Sequence, residues 1–235
     1  VCWKKIAGNE AGNENEVILP EKIGGWKQFF TLAREASGAV PTPSVTAVAE
    51  EKRDPYQVLV STIISLRTKD QVTIEASRRL FSLASDLKSL SELPVEKIAE
   101  VIYPAGFYRV KAANLQKIGM MLKKRGVPSS KEELLSLPGV GIKTANLVLG
   151  LAFNVPAICV DIHVHRISNR MGIISTKSPE ESEKALEAVI PRERWIGINT
   201  LLVAFGQSVC TPVSPHCSRC PFEADCPRRG VGKSR

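Results

Sequence analysis

Four of the six cysteines, Cys210, Cys217, Cys220 and Cys226, crowd into seventeen residues in the pattern C-x6-C-x2-C-x5-C. Thiols this close in sequence either crosslink or hold metal, and either outcome ties a long stretch of chain to one point. The choice depends on compartment. Lys4 and Lys5 are followed by Gly, Asn and Glu in place of an apolar signal core, which gives no support to secretion. The longest apolar stretch, Leu147 to Val160, is broken by Asn154 and Pro156 and falls short of the roughly 20 apolar residues that a membrane helix needs. An intracellular protein is therefore expected, and in a reducing compartment the cysteines read as a metal centre. Four thiolates suit tetrahedral zinc or an iron-sulfur cluster. The spacing lacks the paired C-x-x-C knuckles of a zinc ribbon, which favours a cluster. Cys2 and Cys159 stand outside the group, and Cys159 is expected to be a small buried apolar residue.

The rest of the chain reads as helix after helix. Of its 235 residues, 43% are hydrophobic and 24% charged, enough apolar material for a core and too much for a disordered chain. Residues 1–23 are rich in Asn, Glu and Gly without an apolar period and are expected to be a flexible tail. From Trp26 the residues Phe29, Phe30, Ala33 and Ala36 recur at three- and four-residue steps, the spacing of one helix face. Asp54-Pro55 supplies an N-cap and first-turn proline to a helix over Tyr56 to Leu66 that is apolar nearly all round. Thr68 with Gln71, Ser130 with Glu133, and Ser178 with Glu181 each match a capping box. A strand is tempting only at Val17 to Leu19 and Ala157 to Val160, and nothing pairs them into a hairpin. The expectation is an all-α fold of about ten helices.

Two stretches carry chemistry beyond the cysteines. Leu137-Pro138-Gly139-Val140-Gly141-Ile142-Lys143 joins the capped helix at Ser130 to Ser136 to an apolar helix running to about Phe153. Glycines at 139 and 141 allow unusual backbone conformations and close approach of a ligand, and the amides opening the second helix are suited to a phosphate. This is a helix-hairpin-helix pattern, and the formal charge of +8 favours a polyanionic partner. Lys143 sits on the first turn, where the positive end of the dipole and any partial burial disfavour its ammonium form, and a neutral amine is a nucleophile. Downstream, Val160-Asp161-Ile162-His163-Val164-His165-Arg166 turns an apolar run into a helix. Asp161 reads as its N-cap and, facing the same cleft as Lys143, as a carboxylate that stabilises positive charge on a sugar. Two histidines do not make a metal site, so His163 and His165 are expected to pack or hydrogen-bond.

Three motifs in this order, LPGVG-x-K at 137–143, V-D-x-H-V-x-R at 160–166 and the cysteine pattern at 210–226, resemble the endonuclease III branch of the helix-hairpin-helix DNA glycosylases. Similarity also appears at Ser65 to Thr73 and Tyr103 to Lys111, so it extends from about Lys27 to Pro227. The resemblance implies a two-lobed α-helical protein with double-stranded DNA in the cleft. One lobe, residues 47–156, is a six-helix barrel; the other, residues 24–46 with 157–235, holds a 4Fe-4S cluster on Cys210, Cys217, Cys220 and Cys226. It implies that Lys143 is the nucleophile and Asp161 its acidic partner in a bifunctional enzyme that removes oxidised pyrimidines and then cleaves the strand at the abasic site as an AP lyase. Gly139, Val140 and Gly141 would hold a backbone phosphate. In bacterial relatives a glutamine and a leucine fill the gap left by the extruded base; the aligned residues here are Arg67 and Phe107, both departures. Lys123-Lys124-Arg125 and Arg228-Arg229 are candidate backbone contacts, and the protein is expected to be a monomer. Two alternatives stand beside this reading: a mismatch-specific monofunctional glycosylase, against which Lys143 argues, and a non-enzymatic iron-sulfur DNA-binding module, in which Lys143 only binds phosphate.

Overall fold

A computed structural model describes residues 19–235. Residues 1–18, which include Cys2 and most of the expected tail, lie outside the described residues, as do two of the three positions of the tempting strand at Val17. The described residues contain thirteen α-helices and no strand. They are α1 (Leu19–Lys22), α2 (Trp26–Ser37), α3 (Ser44–Glu51), α4 (Pro55–Ser65), α5 (Asp70–Leu83), α6 (Leu87–Glu92), α7 (Val95–Ile102), α8 (Tyr108–Leu122), α9 (Lys131–Leu135), α10 (Ile142–Phe153), α11 (Ile162–Arg170), α12 (Pro179–Val189) and α13 (Trp195–Ser208). The helices beyond the expected ten are short ones. Residues 19–22, expected as tail, form α1 because Leu19 is buried in a core.

Two cores divide the molecule. The first is built by α3 to α10, six of them eight residues or longer, with the short α6 and α9 between. Its axis is α4, buried continuously from Val58 to Ile64. Asp54 starts that helix by accepting the Tyr56 amide at 3.0 Å, with Pro55 in its first turn, so cap and proline act as the sequence suggests. The second core combines α2, α11 and α13 with the cysteine-rich segment. Phe222, placed between Cys220 and Cys226, is fully buried there; it stacks on Phe29 of α2 at 5.0 Å and tilts against Phe205 of α13 at 5.8 Å. One aromatic ring thus anchors the cysteine segment to helices far from it in sequence.

Capping follows the sequence at α9 and α12, where Ser130 and Ser178 accept the amides of Glu133 and Glu181. It fails at α5. That helix begins at Asp70 with no side-chain cap, because the Thr68 hydroxyl is engaged by Gly106 and Lys111 from another part of the chain.

Candidate active site

The chain between the two cores, residues 154–161, has no regular structure, and buried side chains lace it down. The Asn146 amide on α10 donates to the Ile158 carbonyl at 2.8 Å, and Asn199 on α13 donates to the Cys159 carbonyl at 3.1 Å. Cys159 is buried as expected, its thiol against the Lys143 carbonyl at 3.6 Å. Burial pushes that thiol up to about 12, so it is a packing group and no nucleophile. These ties set the start of α11 against the start of α10.

Asp161 caps α11: its Oδ1 accepts the amides of His163 at 2.8 Å and Val164 at 2.9 Å. Both cap bonds fall on Oδ1, which leaves Oδ2 outside the cap. Lys143 lies on the first turn of α10 and is exposed, so the partial burial that the sequence left open is not part of its surroundings. Among the described residues no ion pair joins Lys143 to Asp161. They share two hollows instead. One, of about 810 Å3, is also lined by Ser44, Asp70, His163, Asn199 and Gln207; the other, of about 610 Å3, is lined by Ile162, Glu180 and Glu183. A third, of about 1190 Å3, runs from Lys143 past Gly139 to Arg67 and Phe107. Lys143 and Ile162 line all three.

The hairpin turn between α9 and α10 divides its glycines by role. Gly139 has φ of +78°, which suits glycine, and a Cβ there would meet the Asn114 amide nitrogen at 2.5 Å. Gly141 differs from expectation: its φ of −99° is open to any residue. No atom beyond Gly141 and its two chain neighbours lies within 4 Å of where its Cβ would be, so the space beside the first amides of α10 is clear. Gly141 is also the N-cap, and no side chain caps those amides; they remain available to an anion. Val140 is buried, and its amide donates to Leu137 at 3.2 Å. That commitment closes the turn and removes the Val140 amide from the set that the sequence assigned to phosphate.

Arg67 and Phe107 come together although forty positions separate them. Both are exposed, both have left-handed backbone, and the Arg67 guanidinium carbon lies 5.4 Å from the Phe107 ring centre. His165 bonds Ser182 at 2.7 Å. His163 contacts Arg166 at 3.2 Å, and burial holds its imidazole below the usual range. Arg228 pairs with Glu223 at 3.0 Å, while Lys123 borders a separate hollow with Asp54 and Asp86.

All four cysteines line one cavity of about 330 Å3 of space unfilled by protein atoms. They are free thiols, and burial pushes Cys220 up to about 11 and Cys226 in the same direction. Among the described residues no three His, Cys, Asp or Glu side chains form a group that could hold a single metal ion. Arg170, at the far end of α11 from Asp161, donates to the Cys210 sulfur at 3.4 Å and to the carbonyls of Thr211 and Pro212 at 2.9 and 3.2 Å. The sequence assigned no role to Lys111, which is buried beside Arg67 and Phe107; a lysine on a helix usually reads as solvated. Nor did it mark Asp70 or Asn199, polar residues without a motif.

Residues 60–192 match the family model of the HhH-GPD superfamily of base excision DNA repair proteins. The chain is 44% identical to endonuclease III of Thermotoga maritima over 79% of its own length and 90% of that protein. It is 40% identical to endonuclease III-like protein 1 of Bos taurus, over 86% of this chain and 71% of the relative. Among solved structures, a trapped endonuclease III–DNA covalent intermediate with an estranged adenine superposes with a TM-score of 0.75 at 34% identity, over 86% of this chain and 95% of that one. No helix among the described residues is long and apolar enough to cross a membrane.

Proposed function

The chain belongs to the HhH-GPD superfamily of base excision DNA repair proteins, and from that membership we propose that it is a bifunctional DNA glycosylase of the endonuclease III type. It releases oxidised pyrimidines from duplex DNA and nicks the strand at the abasic site. The observation that carries this reading is the shared placement of the Lys143 amine and the Asp161 carboxylate on two hollows between the cores.

The chemistry follows from what those groups do. A base inside the duplex hides its glycosidic bond, so the nucleotide must be extruded, and damaged bases unstack at lower cost. The 810 Å3 hollow, lined by hydroxyl, amide and carboxylate groups among apolar side chains such as Leu147 and Val203, suits a base, which is polar at its edge and apolar on its faces. Lys143 gives up one ammonium proton to solvent and its free amine attacks C1′; the N–C1′ bond forms as the glycosidic bond breaks, and the base leaves with the bonding pair and takes up a proton. Asp161, held through Oδ1, presents Oδ2 to the positive charge growing at C1′. Opening of the sugar ring gives an imine between Lys143 and C1′, which acidifies C2′. Loss of the C2′ proton then expels the 3′ phosphate oxygen and breaks the strand.

The remaining residues hold the DNA. The uncapped amides of Gly141, Ile142 and Lys143 receive a backbone phosphate, with no side chain at Gly141 to obstruct it. Such contacts position the protein without reading sequence. Arg67 and Phe107 fill the gap left by the extruded base, Arg67 donating to the orphaned partner base and Phe107 stacking. The expected boundary at 46/47 falls inside α3, whose Val45 is buried in the first core, so we assign residues 44–156 to one lobe and residues 24–43 with 157–235 to the other, with the duplex between them. Cys210, Cys217, Cys220 and Cys226 are the ligands of a 4Fe-4S cluster: four thiols around one cavity fit that donor set, and Arg170 donating to the Cys210 sulfur fits the hydrogen bonding that such sulfurs receive. When bound, the cluster crosslinks the segment from Cys210 to Cys226.

A duplex with one thymine glycol, end-labelled and run without alkali treatment, tests the activity. Strand breakage at the lesion is expected. Breakage only after alkali would mean base removal alone, and no breakage on oxidised or mismatched duplexes would leave a DNA-binding module.

A further inference from the structure

Arg67 and Phe107 hold conformations that a free chain would abandon. Their φ angles, 51° and 56°, lie where a side chain is disfavoured. Phe107 leaves 60% of its surface in water. Arg67 follows α4 and Phe107 precedes α8, so no local hydrogen-bond pattern sets one against the other. What lies beneath them does.

Lys111, on the first turn of α8, is only 5% exposed. Its Nζ donates to the Ile64 carbonyl at 2.7 Å, the Leu66 carbonyl at 2.5 Å and the Thr68 hydroxyl at 2.9 Å. Three N–H groups meet three acceptors, two of them carbonyls at the end of α4 that have no partner in the helix. The same Thr68 hydroxyl accepts the Gly106 amide at 3.0 Å. A Cβ on Gly106 would collide with the Arg67 carbonyl, so the two turns are in backbone contact. Arg67 is thus bracketed by two residues that Lys111 grips, and Phe107 follows the glycine tied to one of them. Burial lowers Lys111 to about 8, and three acceptors around Nζ, with the Thr68 proton already directed to the Leu66 carbonyl, call for all three protons of the ammonium.

We propose that Lys111 is a positioning residue: its buried ammonium locks the Arg67 and Phe107 turns together, so that both side chains enter the gap in the duplex as one preset wedge. This rests on the glycosylase reading above. An apolar side chain at 111 would fill the space but leave the Ile64 carbonyl unpaired, the Leu66 carbonyl with only the Thr68 hydroxyl at 3.2 Å, and the two turns free to separate.

The test uses a duplex with a tetrahydrofuran abasic analogue opposite 2-aminopurine, whose fluorescence reports stacking in the gap, alongside an intact duplex. The wild-type protein should prefer the abasic duplex and change the fluorescence. Lys111→Met, folded by circular dichroism, should lower the ratio of the two affinities about tenfold, the loss that unpairing buried polar groups produces, and lose most of the fluorescence change. Lys111→Arg, which keeps the charge and donors, should recover part of both. A folded Lys111→Met variant within about twofold of wild type in both readouts would overturn the proposal. If that variant does not fold, Thr68→Val, which removes the hydroxyl between Gly106 and Lys111, is read the same way. A wild-type protein that binds both duplexes equally would overturn the glycosylase reading itself, and the wedge with it.

Discussion

The proposed function gives Asp161 two duties on one carboxylate, and substitution separates them. Its Oδ1 caps α11, a role asparagine also fills well, whereas only a carboxylate supplies negative charge. Asp161→Asn should therefore leave the denaturation midpoint nearly unchanged while lowering the base-release rate by about 10² or more, the scale of removing an electrostatic stabiliser. Asp161→Ala should show the same rate loss and also cost about 1 kcal/mol in a urea melt. A loss of rate in Asp161→Asn matched by an equal loss of stability would assign the residue to the cap alone. At this scale the sequence was legible where a motif fixed the spacing: Lys143 and Asp161 stand on common hollows, and the four cysteines share a cavity. It was illegible where a tertiary contact decides the role. Thr68 has the spacing of a capping residue, yet its hydroxyl goes to Gly106 and Lys111, and the Val140 amide is spent inside the turn.

The element that most depends on backbone geometry is the turn from α9 to α10. Gly139→Ala forces a side chain onto a backbone at φ +78° and against Asn114. It should destabilise the protein by about 1–2 kcal/mol, the cost of left-handed backbone in an L-residue, and weaken duplex binding because the amides of α10 shift with the turn. Gly141→Ala meets neither obstacle, so its fold should be unaffected while a methyl group enters the phosphate space; denaturation and duplex-affinity curves on the pair distinguish conformational from contact effects. Long helices with a cap and an apolar face, such as α4 and α12, could be read from sequence, and the five-residue α9 only through its Ser130 cap. Short helices such as α1 and α6 could not, since four to six residues hold too little periodicity to register and are folded by the core that receives Leu19, Leu87 and Leu90.

At the scale of the whole molecule, two cores meet along the cleft that Lys143 overlooks, and the cysteine segment belongs to only one of them. Phe222 and Cys210 are buried in the second core with α2, α11 and α13, and α11 runs from Asp161 at one end to Arg170 beside Cys210 at the other. Cys220→Ser should abolish iron binding and lower hydrogen-exchange protection in α2, α11 and α13, while α4 and α8 in the first core keep theirs. Equal loss in both cores would show one cooperative unit. The division into two cores was not visible in hydrophobic period, because helices of both share the same spacing; it depends on which apolar faces meet, as Phe29 and Phe222 do across nearly the whole chain. Borohydride trapping reports on the covalent bond between the Lys143 amine and the sugar, on which the whole reaction depends. Wild-type protein incubated with a thymine glycol duplex and reduced should give a covalent protein–DNA adduct that Lys143→Ala does not form, whereas an adduct that persists undiminished in Lys143→Ala, or base release by the wild type with no adduct at all, would contradict it.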